Sequence, residues 1–149
     1  MDVHNLIPVM VLHGPNLNLL GEREPDIYGT VSLPELNNKL VDFGKISGLE
    51  VVCRQSNHEG VLIDLLHEAR LSAKGVVLNA GGYTHTSVAL RDAISAIHIP
   101  VVEVHLSNIY AREEFRHKSL ISQVCVGVIS GFGWQSYQLA LQALKDIIH

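Results

Sequence analysis

Five short apolar runs, each separated from the next by a helical pattern, constrain this 149-residue chain more than any other feature. They fall at residues 8–14 (PVMVLHG), 50–56, 75–80 (GVVLNA), 100–106 (PVVEVHL) and 124–129. Their β-branched, continuously apolar character predicts strands covered on both faces. Helices are expected over 33–47, 59–73 and 134–147. Another runs from a cap at Thr84 or Thr86 to about Ile97, with a short polar helix near 111–118. Ser32 and Glu35 form a capping-box pattern and Gly48 is a stop signal for the first of these. Strands alternating with helices build a parallel sheet. One doubly wound α/β domain over 1–149, with strand order 2-1-3-4-5, follows. A complete (β/α)₈ barrel needs roughly 250 residues and is excluded.

The ends of these runs narrow the chemistry, because ligands in such sheets bind beyond the carboxyl ends of the strands. Those ends read HGPNLNLLGEREPDIYG, QSNHEG, NAGGYTHTS, EVHLSN and SGFG. Four of the five gather His, Asn, Tyr, Arg or Ser, more than structural loops require. Nucleotide patterns are missing: neither G-x-G-x-x-G nor G-x-x-x-x-G-K-[ST] occurs, and Gly14, Gly21 and Gly29 are too widely spaced to cradle a phosphate. No H-E-x-x-H or Cys/His spacing points to a metal. A net charge of −4 without a Lys/Arg cluster argues against nucleic acid as a partner. The N-terminal apolar stretches are broken by Pro8, His13, Pro15, Asn16 and Asn18, which fits neither a membrane span nor an export signal. Cys53 and Cys125, inside apolar runs, read as buried thiols of a cytoplasmic protein.

Acid–base chemistry remains. Tyr28 follows Arg23 by five residues in the first loop, and a tyrosine acts as a base near neutral pH only where a cation stabilises its phenolate. Glu103 and His105 lie two apart on one strand, hence on one face, where the carboxylate orients the imidazole. Asn16 and Asn79 are neutral donors at strand ends, suited to an enolate or to hydroxyl groups. His85 and Asp92, seven apart, are expected on one helix face. Arg116 offers a bidentate clamp for a carboxylate. Each has a plain alternative: a loop anchor, a core histidine, a turn residue or a solvated charge.

Together the segments PNLNLLGEREPDIYG, QSNHEG, NAGGYTHTSVALRDA, PVVEVHLSNIYAREEFRHKS and the GFG…Y…ALQAL ending resemble the type II 3-dehydroquinate dehydratases. The resemblance spans nearly the whole chain. It implies a flavodoxin-like fold and reversible dehydration of 3-dehydroquinate, without metal or cofactor. It implies Tyr28 as proton acceptor, Arg23 as stabiliser of its phenolate, and His105 as proton donor oriented by Glu103. Asn16 would hold a water that stabilises an enolate. Asn79, His85, Leu106, Ser107 and Arg116 would bind the substrate. Asp92 would reach an adjacent subunit's site in a dodecamer of four trimers. Gly82, where alanine is common, and Trp134-Gln135-Ser136 depart from the family pattern. The rival is a non-catalytic binding or scaffold module of the same fold.

Overall fold

Parallel strands cannot be joined by tight turns, so each connection must carry the chain back along the sheet. The computed structural model describes residues 5–148. Strands β1 (Ile7–His13), β2 (Leu49–Gln55), β3 (Val76–Asn79), β4 (Val101–His105) and β5 (Gly127–Ser130) form one sheet in the order β2-β1-β3-β4-β5. All four pairings are parallel, as expected for the doubly wound fold. The helices are α1 (Pro25–Tyr28), α2 (Leu33–Ser47), α3 (Glu59–Ser72), α4 (Val88–Ile97) and α5 (Gln135–Ile147).

Side-chain alternation along the central strands splits the core in two. Val9, Val11, Val77, Val102 and Val104 pack with Leu36 and Leu40 of α2 and Leu141 and Leu144 of α5. Met10, Leu12, Val76, Leu78 and Val101 pack with Leu62 and Leu66 of α3 and Leu90 and Ile94 of α4. Truncating a fully buried leucine such as Leu40 to alanine should cost about 2–5 kcal/mol. Only β3 and β4 are buried throughout. At the edges, β2 alternates and β5 is largely open, with Val52 and Val128 exposed. Double burial therefore holds for the centre of the sheet and not for its two edge strands.

Local signals explain most boundaries. The Ser32 hydroxyl caps α2 by accepting from the Glu35 N–H at 3.3 Å, and Gly48 ends the helix at φ 87°. Helix α4 is capped by Ser87, which accepts from Leu90 N–H at 2.9 Å, and not by Thr84 or Thr86. Residues Gly81–His85 form a 3-10 turn before it. His85 and Asp92 consequently do not share a helix, which corrects the expectation of a common face. The polar stretch near 111–118 is two 3-10 turns, Ile109–Ala111 and Glu114–Arg116. The fifth strand starts at Gly127, after a 3-10 turn at Ser122–Val124. Among the described residues no helix is long and apolar enough to cross a membrane.

His13 closes β1 with no solvent exposure, between Tyr137 and Asn37. Burial pushes its pKa down to about 4, against a smaller upward pull from the Asn37 hydrogen bond. Below the ordinary value of 6.5 the unfolded chain binds a proton that the folded chain refuses. Stability is therefore complete above that pH and falls as pH drops towards 4. Urea unfolding at pH 7 and pH 4.5 should show about 2–3 kcal/mol lost through this residue. His13→Gln should flatten the dependence, and an equally steep profile in that variant would refute the assignment.

Candidate active site

The parallel register brings His13 opposite both Gln55 and Asn79, and His105 opposite Ser130, along one sheet edge. A cleft of about 130 Å³ opens at this edge. Access for the first loop depends on Gly14. A Cβ there would lie 2.7 Å from the Ala80 backbone, so only glycine lets the chain cross the end of β3. Asn16 follows in a left-handed conformation, φ 70°, its N–H donating to Asn57 Oδ1 at 3.0 Å.

Nine expected residues line the cleft: Asn16, Arg23, Tyr28, Asn79, His85, His105, Leu106, Ser107 and Arg116. Glu103 lies directly beneath His105 and is wholly buried. Asp92 lies outside the cleft, exposed on α4. Arg112 also lines the cleft and was missed by sequence reasoning. Its guanidinium carbon sits 5.1 Å from the Tyr28 ring centre, and that of Arg23 sits 4.6 Å away, so two cations flank one phenol. Arg112 donates to Ser107 Oγ at 3.3 Å, while its buried Nε has no hydrogen-bond partner. The R-x-x-x-R spacing with Arg116 was the available signal.

Four tyrosines are present, but only Tyr28 faces the cleft. Tyr83 donates to the Asn57 carbonyl at 3.2 Å, Tyr110 is exposed, and Tyr137 is completely buried. Both cysteines are half-buried, and burial pushes each thiol up to about 12. Neither is a nucleophile near neutral pH.

His105 Nε2 lies 2.5 Å from Glu103 Oε2. Burial pushes the Glu103 carboxyl up, but hydrogen bonds from His105, Ser122 and Ser119 outweigh it and hold the pKa below the ordinary value. Ser122 and Ser119 donate to Oε1 at 2.6 and 2.9 Å. The resulting carboxylate fixes Nε2 as the protonated nitrogen and leaves Nδ1 for a ligand. His85 stacks beside it, with ring centres 6.4 Å apart. Its Nδ1–H donates to the Lys118 carbonyl at 2.8 Å, which leaves Nε2 as an acceptor. Burial lowers the pKa of His85, with Arg116 and His105 adding to the effect.

Arg23, Arg112 and Arg116 line the cleft, and no carboxylate does so among the described residues. Such a lining attracts an anion. No group of three or more His, Cys, Asp or Glu that could hold a metal ion occurs among the described residues.

A doubly wound α/β chain with an arginine-lined cleft at its carboxyl edge, holding Tyr28 and His105, is the class that this fold and site define. Residues 7–145 match the family model described as dehydroquinase class II, and the chain belongs to that family. It is 60% identical over 143 residues to a 3-dehydroquinate dehydratase of Trichodesmium erythraeum, covering 96% of this chain and 95% of that protein. Among solved structures, the type II dehydroquinase of Butyrivibrio crossotus superposes with a TM-score of 0.91 at 45% identity, over 93% of this chain and 97% of that one. The type II dehydroquinase of Propionibacterium acnes gives 0.90 at 42%, over 93% and 96%.

Removing the Ser122 hydroxyl tests the carboxylate directly. Ser122→Ala should raise the pH at which Glu103 titrates, read from its side-chain carboxyl 13C shift. An unchanged midpoint would show that the hydroxyl does not hold the charge.

Proposed function

We propose that the chain is a cytoplasmic, cofactor-independent lyase that dehydrates 3-dehydroquinate reversibly to 3-dehydroshikimate, a step of the shikimate pathway. The carrying observation is the cleft itself: one tyrosine with two guanidiniums at its ring, sharing the cleft with a histidine backed by a glutamate whose charge is held by hydrogen bonds. The names of the relatives supply the substrate.

In this reading the Tyr28 phenolate takes a proton from the carbon α to the ketone. The electron pair moves onto the ketone oxygen and forms an enolate, which a water held by Asn16 stabilises. Collapse of the enolate expels the β-hydroxyl. His105 gives that hydroxyl a proton, and it leaves as water. Arg23 and Arg112 offset the phenolate charge. Asn79, His85, Leu106, Ser107 and Arg116 hold the substrate, its carboxylate being the natural partner for a guanidinium. The loop between Gly21 and Gly29, both at positive φ, closes as a lid and expels water.

Mixing the purified protein with 3-dehydroquinate should produce the ultraviolet absorbance of a conjugated enone. No absorbance change at any pH would leave a non-catalytic module as the better reading. Tyr28→Phe should lower kcat by roughly 10²–10⁴-fold with little change in KM, since the ring stays and only the proton acceptor is lost. Tyr83→Phe should keep most activity. The reverse pattern would move the base to Tyr83.

The assembly proposed is a dodecamer of four trimers. In this reading Asp92, which is exposed on α4 and outside its own cleft, serves a neighbouring subunit. Light scattering should give twelve times the 16.4 kDa chain mass. A fully active monomer at assay dilution would contradict the assembly.

A further inference from the structure

We propose that Tyr137 and His13 are positioning residues for Asn79: a buried relay fixes which way its amide faces and leaves a free N–H donor for the substrate there. The substrate's identity in this inference rests on the dehydratase reading. The polarity of the amide does not.

The relay starts at a group that cannot turn over. The backbone N–H of Gly81 points at Asn79 Oδ1, 3.1 Å away. A flipped amide would set an NH₂ against that N–H, donor against donor. Asn79 therefore directs Nδ2 towards the Tyr137 hydroxyl, at 3.0 Å, and the phenol oxygen accepts. Tyr137 has no solvent exposure, so its own proton needs a partner within the protein. His13 Nδ1, at 3.0 Å, is that partner and must accept. The imidazole proton then sits on Nε2, which donates to Asn37 Oδ1 at 2.8 Å. All four links have one allowed direction, set from Gly81 outward.

The relay works only with a neutral imidazole. A proton on Nδ1 would turn that nitrogen into a second donor towards Tyr137 and strand the phenol proton in a dry core. Burial keeps His13 neutral at neutral pH. A phenylalanine at 137 would fill the same core space, so the hydroxyl is there for its hydrogen bonds.

The consequence falls on the cleft. Asn79 is 4% exposed and lines it. One lone pair of its oxygen is engaged by Gly81 and one N–H by Tyr137. The remaining N–H has no protein partner among the described residues. The substrate atom opposite must present a lone pair. A site with a freely rotating amide would take a donor or an acceptor equally well.

Two measurements test this. Long-range 1H–15N spectra of the wild-type protein at pH 7 should show His13 as the Nε2–H tautomer; an Nδ1–H tautomer would overturn the relay. Asn37→Leu should leave that tautomer in place, because the order runs from Gly81, and a switch to Nδ1–H would count against it. In Tyr137→Phe the Asn79 amide loses its acceptor and its fixed orientation. KM for 3-dehydroquinate should rise roughly five- to tenfold, the worth of one hydrogen bond, while kcat stays within about twofold. An unchanged KM in a folded Tyr137→Phe enzyme would reduce the hydroxyl to packing and overturn the positioning role. Should that variant fail to fold, the two spectra still decide the direction of the relay. A wild-type protein inert towards 3-dehydroquinate would defeat the functional reading alone, since the tautomer is read without substrate.

Discussion

Parallel pairing of β1 with both of its neighbours is the constraint on which the site depends. Every strand then ends on the same side, and every polar residue placed just after an apolar run arrives at one edge. Asn16, Asn79 and His105 come from three different strand ends and still line one cleft. The close crossing at Gly14 tightens the arrangement. Its N–H donates to the Asn79 carbonyl at 2.7 Å, so the first loop is anchored to the end of β3 at the point where it turns into the cleft.

Electrostatics at this edge is settled by how many donors each buried group meets. Moving a carboxylate out of water costs several kcal/mol, and Glu103 is wholly buried. Three hydrogen bonds, from His105, Ser119 and Ser122, offset that cost and keep the charge. His13 is equally buried but meets only the neutral Tyr137 and Asn37. Nothing there compensates a cation, so the imidazole stays neutral. The same desolvation acts on both groups; the neighbours decide the outcome.

The parts legible in the sequence are those set by local chemistry. The capping box at Ser32 and Glu35, the stop at Gly48 and the alternation of strands with helices all act over a few residues, and all appear in the structure. Cap choice at THTS was harder, because Thr84, Thr86 and Ser87 all carry hydroxyls and the 3-10 turn at Gly81–His85 selects the last. That turn also separates His85 from the helix carrying Asp92. Arg112 escaped notice because a single sequence does not say which arginine of R-x-x-x-R turns towards Tyr28. The His13–Tyr137 contact joins residues 124 positions apart, and no spacing rule reaches that far.

The placement of the buried Glu103 carboxylate keeps negative charge out of the cleft lining. A unit charge 4 Å from another is worth about 4 kcal/mol at an effective dielectric constant of 20. Arg23 already pairs with Glu24 at 3.7 Å, and Arg116 and Arg112 with Glu113 at 2.7 and 3.9 Å, but both glutamates are half-exposed and screened by solvent, whereas a buried carboxylate in the lining would offset the guanidiniums far more strongly. Glu103 avoids this by sitting beneath His105, with both oxygens engaged by donors. Its charge faces the imidazole, whose Nε2–H it holds. The cleft opens on the other side of that ring, lined also by three guanidiniums. One buried carboxylate thus orients the imidazole without lining the cleft, and the intervening histidine is what makes both possible.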